Sequence, residues 1–195
     1  MKGPRLYTAE ELVFAPEVAR SRAILESYVP WCEAQRAERD RMLRFVDDHP
    51  DDAHQRTLLV GHLTASALVL DAKGERALLT HHKKLGRWLQ LGGHCDGDAN
   101  LPGVALRECV EESGIDGLAI DPVPIDVDVH VIPARKDEPE HLHLDTRFVV
   151  HAPAGAREVL SDESIALRWF WPEELATIAT DDSVRRLFER AFRSH

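Results

Sequence analysis

Polar and apolar residues alternate strictly along residues 125–132: Asp126, Asp128 and His130 fall on one side, Val127, Val129 and Val131 on the other. That two-residue period marks a strand with one buried face. After a polar loop at 133–140, a second strand is predicted at 141–150, with His141, His143, Asp145 and Arg147 on one face. A hairpin of these strands would set Asp128 and His130 against His141 and His143. Upstream, residues 58–70 are rich in Leu, Val and Ala and read as a strand. Asp71-Ala72-Lys73-Gly74 turns the chain, and 76–82 returns. Lys83-Lys84-Leu85-Gly86 turns it again, and Trp88-Leu89-Gln90-Leu91 runs into Gly92-Gly93. Residues 165–171 form the last strand.

Elsewhere the period is helical. Residues 101–113 predict a helix with Asn100 at the N-cap, Pro102 in the first turn and Gly114 as its left-handed stop. Residues 8–46 read as helical, opened by a Thr8–Glu11 capping box. Within that stretch a segment from Pro16 to Val29 is interrupted by Pro30, and 31–46 continues it. The run Asp47-Asp48-His49-Pro50-Asp51-Asp52 breaks the pattern. Residues 172–178 and 183–193 close the chain as helices. The division is a helical extension at 1–57 and a main domain at 58–195. Strand pairs before one helix, then more strands and a helix, predict an α/β (α+β) fold with a mixed-sheet sandwich. Helical amphipathicity ordinarily means packing. The N-terminal helices are therefore expected to lie on the domain or on a second subunit, which leaves a homodimer open, rather than to form a substrate lid.

Charge narrows the partners. The net charge is −10, which argues against nucleic acid and anionic membrane, both of which attract basic surfaces. A polyanionic small substrate would need local cations, from metal or arginine. Cys32, Cys95 and Cys109 are unevenly spaced and odd in number, so neither a disulfide framework nor a zinc pattern follows, and a cytoplasmic location is expected. No signal-peptide core follows Met1, and no run is long enough to span a membrane.

The chemistry concentrates at residues 92–115. On a helix Glu108, Glu111 and Glu112 project together, and such like charges repel by about 0.2–0.5 kcal/mol per pair even when exposed. Arg107 offsets only part of this. A solvated acidic face is the usual meaning of a charge run, but it explains neither the Gly-Gly lead-in nor the glycine stop. The stretch resembles the Nudix box, a glycine, five residues, a glutamate, seven residues, then Arg-Glu-hydrophobic-x-Glu-Glu-x-Gly-hydrophobic. Gly93, Arg107, Glu108, Cys109, Glu111, Glu112, Gly114 and Ile115 are in register, and Ala99 stands where the first glutamate belongs. In the family that glutamate supports the arginine, a task open here to Asp96 or Asp98.

The resemblance implies a Nudix-type mixed sheet between helices. It also implies a metal-dependent hydrolase that cleaves a phosphoanhydride in a nucleoside diphosphate linked to another group. Mg²⁺, with Mn²⁺ as substitute, favours oxygen ligands. Glu108 and Glu112 can straddle such an ion, Glu111 can reach a second, and the Gly92 carbonyl is the backbone ligand the family pattern suggests. Glu112 and Arg107 are the box residues assigned to catalysis. The general base is expected at Glu163, in Ser161-Asp162-Glu163-Ser164, with Asp137, Glu138 and Glu140 as the rival loop set. His143 and Arg147 are candidate substrate contacts. The set Asp128, His130, His141 and His143 is read first as a polar face satisfied by hydrogen bonds, then as a phosphate contact, then as a transition-metal site. Two other readings share the fold. An isopentenyl-diphosphate isomerase would carry a cysteine immediately before Gly-His, where this chain has Gly92. A nucleotide-binding module without catalysis would tend to lose box carboxylates that this chain keeps. A nucleotide sugar, ADP-ribose or a nucleoside triphosphate is compatible with the residues.

Overall fold

The computed structural model describes residues 5–135, 138–161 and 164–193. Among these, seven strands form one mixed sheet centred on β1 (Gly61–Leu70). Along one edge β1 runs parallel to β6 (His141–His151), which pairs antiparallel with β5 (Ala119–Ile132). Its other edge is divided. Residues 64–67 pair with β4 (Leu91–His94), and residues 69–70 with β2 (Ala77–His82). β2 in turn carries β3 (Trp88–Leu89) and β7 (Ser164–Phe170).

Every residue of β1 is buried, and its alternation assigns them to two faces. Leu63, Ala65, Ala67 and Val69 join one apolar cluster, Leu68 and Leu70 another. On the second face the first half of the strand is polar instead: His62, Thr64 and Ser66. One end of that face therefore has no apolar covering, and it becomes the floor of a cleft.

The first cluster is covered by α1 (Val18–Ser27), α2 (Glu33–Asp48) and α3 (Leu101–Ser113). The second is covered by α4 (Asp182–Arg193) through Val184, Leu187, Phe188 and Ala191. This is the expected mixed sandwich. Leu25, Tyr28, Met42 and Val46 belong to the first cluster, so the N-terminal helices pack on the sheet. Gln35 ties them to β5: it accepts from Tyr28 Oη at 2.6 Å and from Val127 N at 3.2 Å, and donates to Val127 O at 3.1 Å.

Several limits differ from expectation. Residues 8–46 do not form one helical run, because the Thr8–Glu11 capping box opens only a 3-10 turn. Residues 5–15 form a strap instead, with Tyr7 bridged to Ile120. Asn100 is the N-cap residue of α3, as expected, but its side chain makes no capping hydrogen bond; its Nδ2 donates instead to Val13 O at 3.0 Å. β5 begins earlier than 125, with an irregularity between Asp121 and Asp126. Residues 172–177 are a 3-10 helix. Gly114 does stop α3, at φ 62°, its N–H donating to Val110 O at 2.8 Å. Among the described residues no helix is long and apolar enough to cross a membrane.

Candidate active site

A cleft of about 690 Å³ opens where β1 turns polar. Its floor is braced by Asp145 on β6, which accepts from Ser66 Oγ at 2.6 Å and Thr64 Oγ1 at 3.2 Å. One wall is Gly92, Gly93, Glu108, Glu111 and Glu112. The helical spacing of the glutamates and the β4–α3 packing bring this set together as expected.

The two glycines act differently. A Cβ on Gly92 would collide with Ser66, lying 2.5 Å from its Cα. A Cβ on Gly93 would collide with the Glu108 carboxylate. Absence of a side chain at Gly92 thus lets β4 lie on β1, and at Gly93 it makes room for the glutamate.

Arg107 clamps β4 to α3. Its Nη2 donates to His94 O and to Glu108 Oε1, both at 3.1 Å, and its Nε lies 3.9 Å from Glu111. Burial raises the Glu108 pKa, and the hydrogen bond and charge of Arg107 only partly oppose this. Glu112 Oε1 faces Gly92 N at 3.5 Å. The donors are carboxylate and carbonyl oxygens, the set a hard divalent cation takes. A half-buried carboxylate that resists ionisation beside two more glutamates fits such a cation.

The departure at Ala99 has a structural cause. Ala99 is completely buried. Its N–H donates to Ala15 O at 2.6 Å, and its carbonyl accepts from Ser21 Oγ at 2.8 Å. A glutamate at this position would be enclosed, on a backbone already bonded to the strap and to α1. Asp98 takes over part of the support. Its Oδ2 lies 3.9 Å from Arg107 Nη1, while Oδ1 accepts from Ala15 N and Asn100 N. Asp96 is committed to Arg56.

The hairpin of β5 and β6 forms, but its register places His130 opposite His143, Asp128 opposite Asp145 and Ile132 opposite His141. His143 lines the cleft. Arg147 does not reach it: its side chain is 2% exposed and contacts Asp145 at 2.8 Å, Asp128 at 3.2 Å and Asp126 at 3.4 Å. Arg186 from α4 adds contacts to Asp126 at 3.0 Å and Asp128 at 2.8 Å. Burial opposes ionisation of Asp128, but the His130 hydrogen bond and both arginines outweigh it and hold this carboxyl far below the ordinary range. The structure therefore assigns Arg147 to a buried charge cluster rather than to a substrate contact.

Two histidines in the cleft were not anticipated. His62 and His94 stand with His143, and the three rings lie 4.9–5.1 Å apart, centroid to centroid. Burial and neighbouring imidazoles push His62 down to about 4 and His143 down to about 2. The polar spacing His62, Thr64, Ser66 inside an apolar strand was the signal for the first. Glu163 and Asp137 lie outside the described residues; Glu138 lines the cleft.

The NUDIX domain family model matches residues 60–192. No curated protein matches. Among solved structures, the fold is similar to a Caenorhabditis elegans Ap4A hydrolase (20% identity, 68% of this chain and 95% of that one, TM-score 0.54). It is also similar to the Escherichia coli dihydroneopterin triphosphate pyrophosphohydrolase (17%, 68% and 96%, 0.55). A MutT NUDIX hydrolase from Burkholderia pseudomallei is a third (24%, 67% and 97%, 0.52).

Proposed function

Since the chain belongs to the NUDIX domain family, whose hydrolases act on pyrophosphate bonds, we propose that it cleaves a phosphoanhydride in a nucleoside diphosphate linked to a further group. The observation that carries this reading is the convergence of Glu108, Glu111 and Glu112 with Gly92 on one wall of the cleft. These carboxylates and the Gly92 carbonyl would hold Mg²⁺, with Mn²⁺ as substitute. When bound, the ion supplies Lewis acidity towards the phosphates and the attacking water.

The remaining work falls to the chain. Arg107 positions Glu108 and fixes β4 against α3. Arg56, Lys84 and Arg135 line the same cleft and offer the local cations that a polyphosphate needs on a protein of net charge −10. His143, also in the lining, is within reach of the same substrate. Glu163 is the proposed acceptor of the water proton. The three free cysteines suit a reducing compartment, the cytoplasm.

Hydrolysis of a panel of nucleotide sugars, ADP-ribose and nucleoside triphosphates, with product identification, tests this reading. Turnover should require Mg²⁺ or Mn²⁺. Glu112→Gln should retain the fold and lose about 10²–10³-fold in kcat, the scale for removing one electrostatic stabiliser. Full activity in excess chelator, or in Glu112→Gln, would refute it.

A further inference from the structure

The histidines of the cleft form a group distinct from the carboxylate wall. We propose that His62, His94 and His143 constitute a binding site for one divalent transition-metal ion of the zinc class. The backbone prepares it. His62 and His143 are register partners across the parallel β1–β6 pair. His94 pairs with Thr64, two residues along β1 from His62 and on the same face. Three adjacent strands thus deliver three imidazoles to one place, and one nitrogen from each lies within 4.8 Å of the others. Zinc–nitrogen bonds of about 2.0–2.1 Å would draw them closer through small ring rotations.

The second observation is a missing set of partners. His62 is 3% exposed, and neither ring nitrogen makes a hydrogen bond. The Leu58 backbone influences its ring without meeting hydrogen-bond geometry. His143 Nε2 is likewise buried without a partner. Buried polar atoms are ordinarily satisfied, and orphaned ones call for an ion or a water. Neighbouring groups are each engaged elsewhere through at least one atom. His130 Nδ1 is paired with Asp128 at 2.9 Å, and His141 Nδ1 with Pro139 O at 2.9 Å. Both Asp145 oxygens are taken by Thr64, Ser66 and Arg147.

Nitrogen donors also separate the two sites chemically. Imidazoles suit zinc, copper, cobalt or nickel, whereas the all-oxygen wall suits magnesium. Three protein ligands leave a fourth position, and all three histidines line the cleft, so that position is open to a substrate oxygen. This is the ligand count of a zinc site that contacts substrate rather than a closed structural one.

Cobalt is the probe. Chelator-stripped protein is titrated with Co²⁺ in excess Mg²⁺, which competes at the oxygen wall. One Co²⁺ per chain should bind with the intense visible bands of a four-coordinate site, and NMR should show contact-shifted imidazole N–H resonances from three histidines. His94→Gln and His143→Gln, each checked for folding, should weaken Co²⁺ binding at least about tenfold, while Glu112→Gln keeps the bands. Folded wild-type protein without these bands and resonances would overturn the proposal, whatever the variants do. So would bands that survive both histidine substitutions and vanish in Glu112→Gln. Mg²⁺-dependent hydrolysis by the stripped protein is read separately, so failure here leaves the hydrolase reading standing.

Discussion

Gly92 and Gly93 are adjacent and chemically identical, yet they serve the site in different ways. Gly92 faces the backbone of Ser66, which cannot move without displacing β1. Gly93 faces the end of the Glu108 side chain, which can rotate away. Gly92→Ala should therefore cost stability, about 1–3 kcal/mol for overpacking a tight contact. Gly93→Ala should leave the denaturation midpoint nearly unchanged but lower kcat, because it expels Glu108 from its place. Urea titration and steady-state kinetics on both variants separate the effects; a Gly93→Ala enzyme of normal rate would mean that Glu108 need not sit there. The same contrast between position and chemistry governs the arginines. Arg107 on α3 and Arg147 in the core both stand among carboxylates, but only the first is partly exposed. Alternation along β6 placed Arg147 on the same face as His143, which is correct; it could not reveal that Asp126, Asp128 and Asp145 close around it.

At the scale of elements, the strap at residues 5–15 and the start of α3 are one construction. Ala15, Val13 and Ser21 bond to residues 98–100, and position 99 is completely buried. Ala99→Glu, which would complete the box, should destabilise the fold by about 2 kcal/mol or more, since it buries a charge without a prepared partner. A chemical-denaturation midpoint equal to wild type would show instead that the strap yields. Such coupling explains what was legible. The limits of α3 were readable because its stop and its glutamate face are set within a few residues. The β5–β6 hairpin was readable from its period. The parallel pairing of β1 with β6 was not, because its partners lie about eighty residues apart and leave no local mark. The histidine trio depends on that pairing and so was divided in the sequence: His143 was noticed with its own strand, His62 and His94 were not. Asn100 was legible as the N-cap position of α3, but not its tie to the distant strap, where Nδ2 donates to Val13 O.

Over the described residues of the whole molecule the cleft gathers side chains from all seven strands, from α3 and from several connecting loops, so completion of the site depends on segments far apart in the chain. The proposed base, Glu163, belongs to the approach to β7. Ser164, its neighbour, is buried, lines the cleft and shares a 2.5 Å hydrogen bond with Thr80 on β2. Ser161 Oγ lies 3.3 Å from Ser164 Oγ. The chain on either side of residues 162–163 is thus anchored beside the site. A carboxylate would suit the task, because a bound cation would acidify the attacking water and leave the base needing only modest proton affinity. Glu138 approaches the same cleft from the β5–β6 loop and is the direct rival. Loss of a general base costs about 10²–10⁴-fold in rate. Glu163→Gln should lower kcat on that scale and leave KM and thermal stability nearly unchanged, while Glu138→Gln and Glu140→Gln stay within a few-fold of wild type. A near-normal Glu163→Gln enzyme beside an inactive Glu138→Gln would move the base to the loop, and the pH profile of kcat would then lose its acidic limb in the Glu138 variant instead.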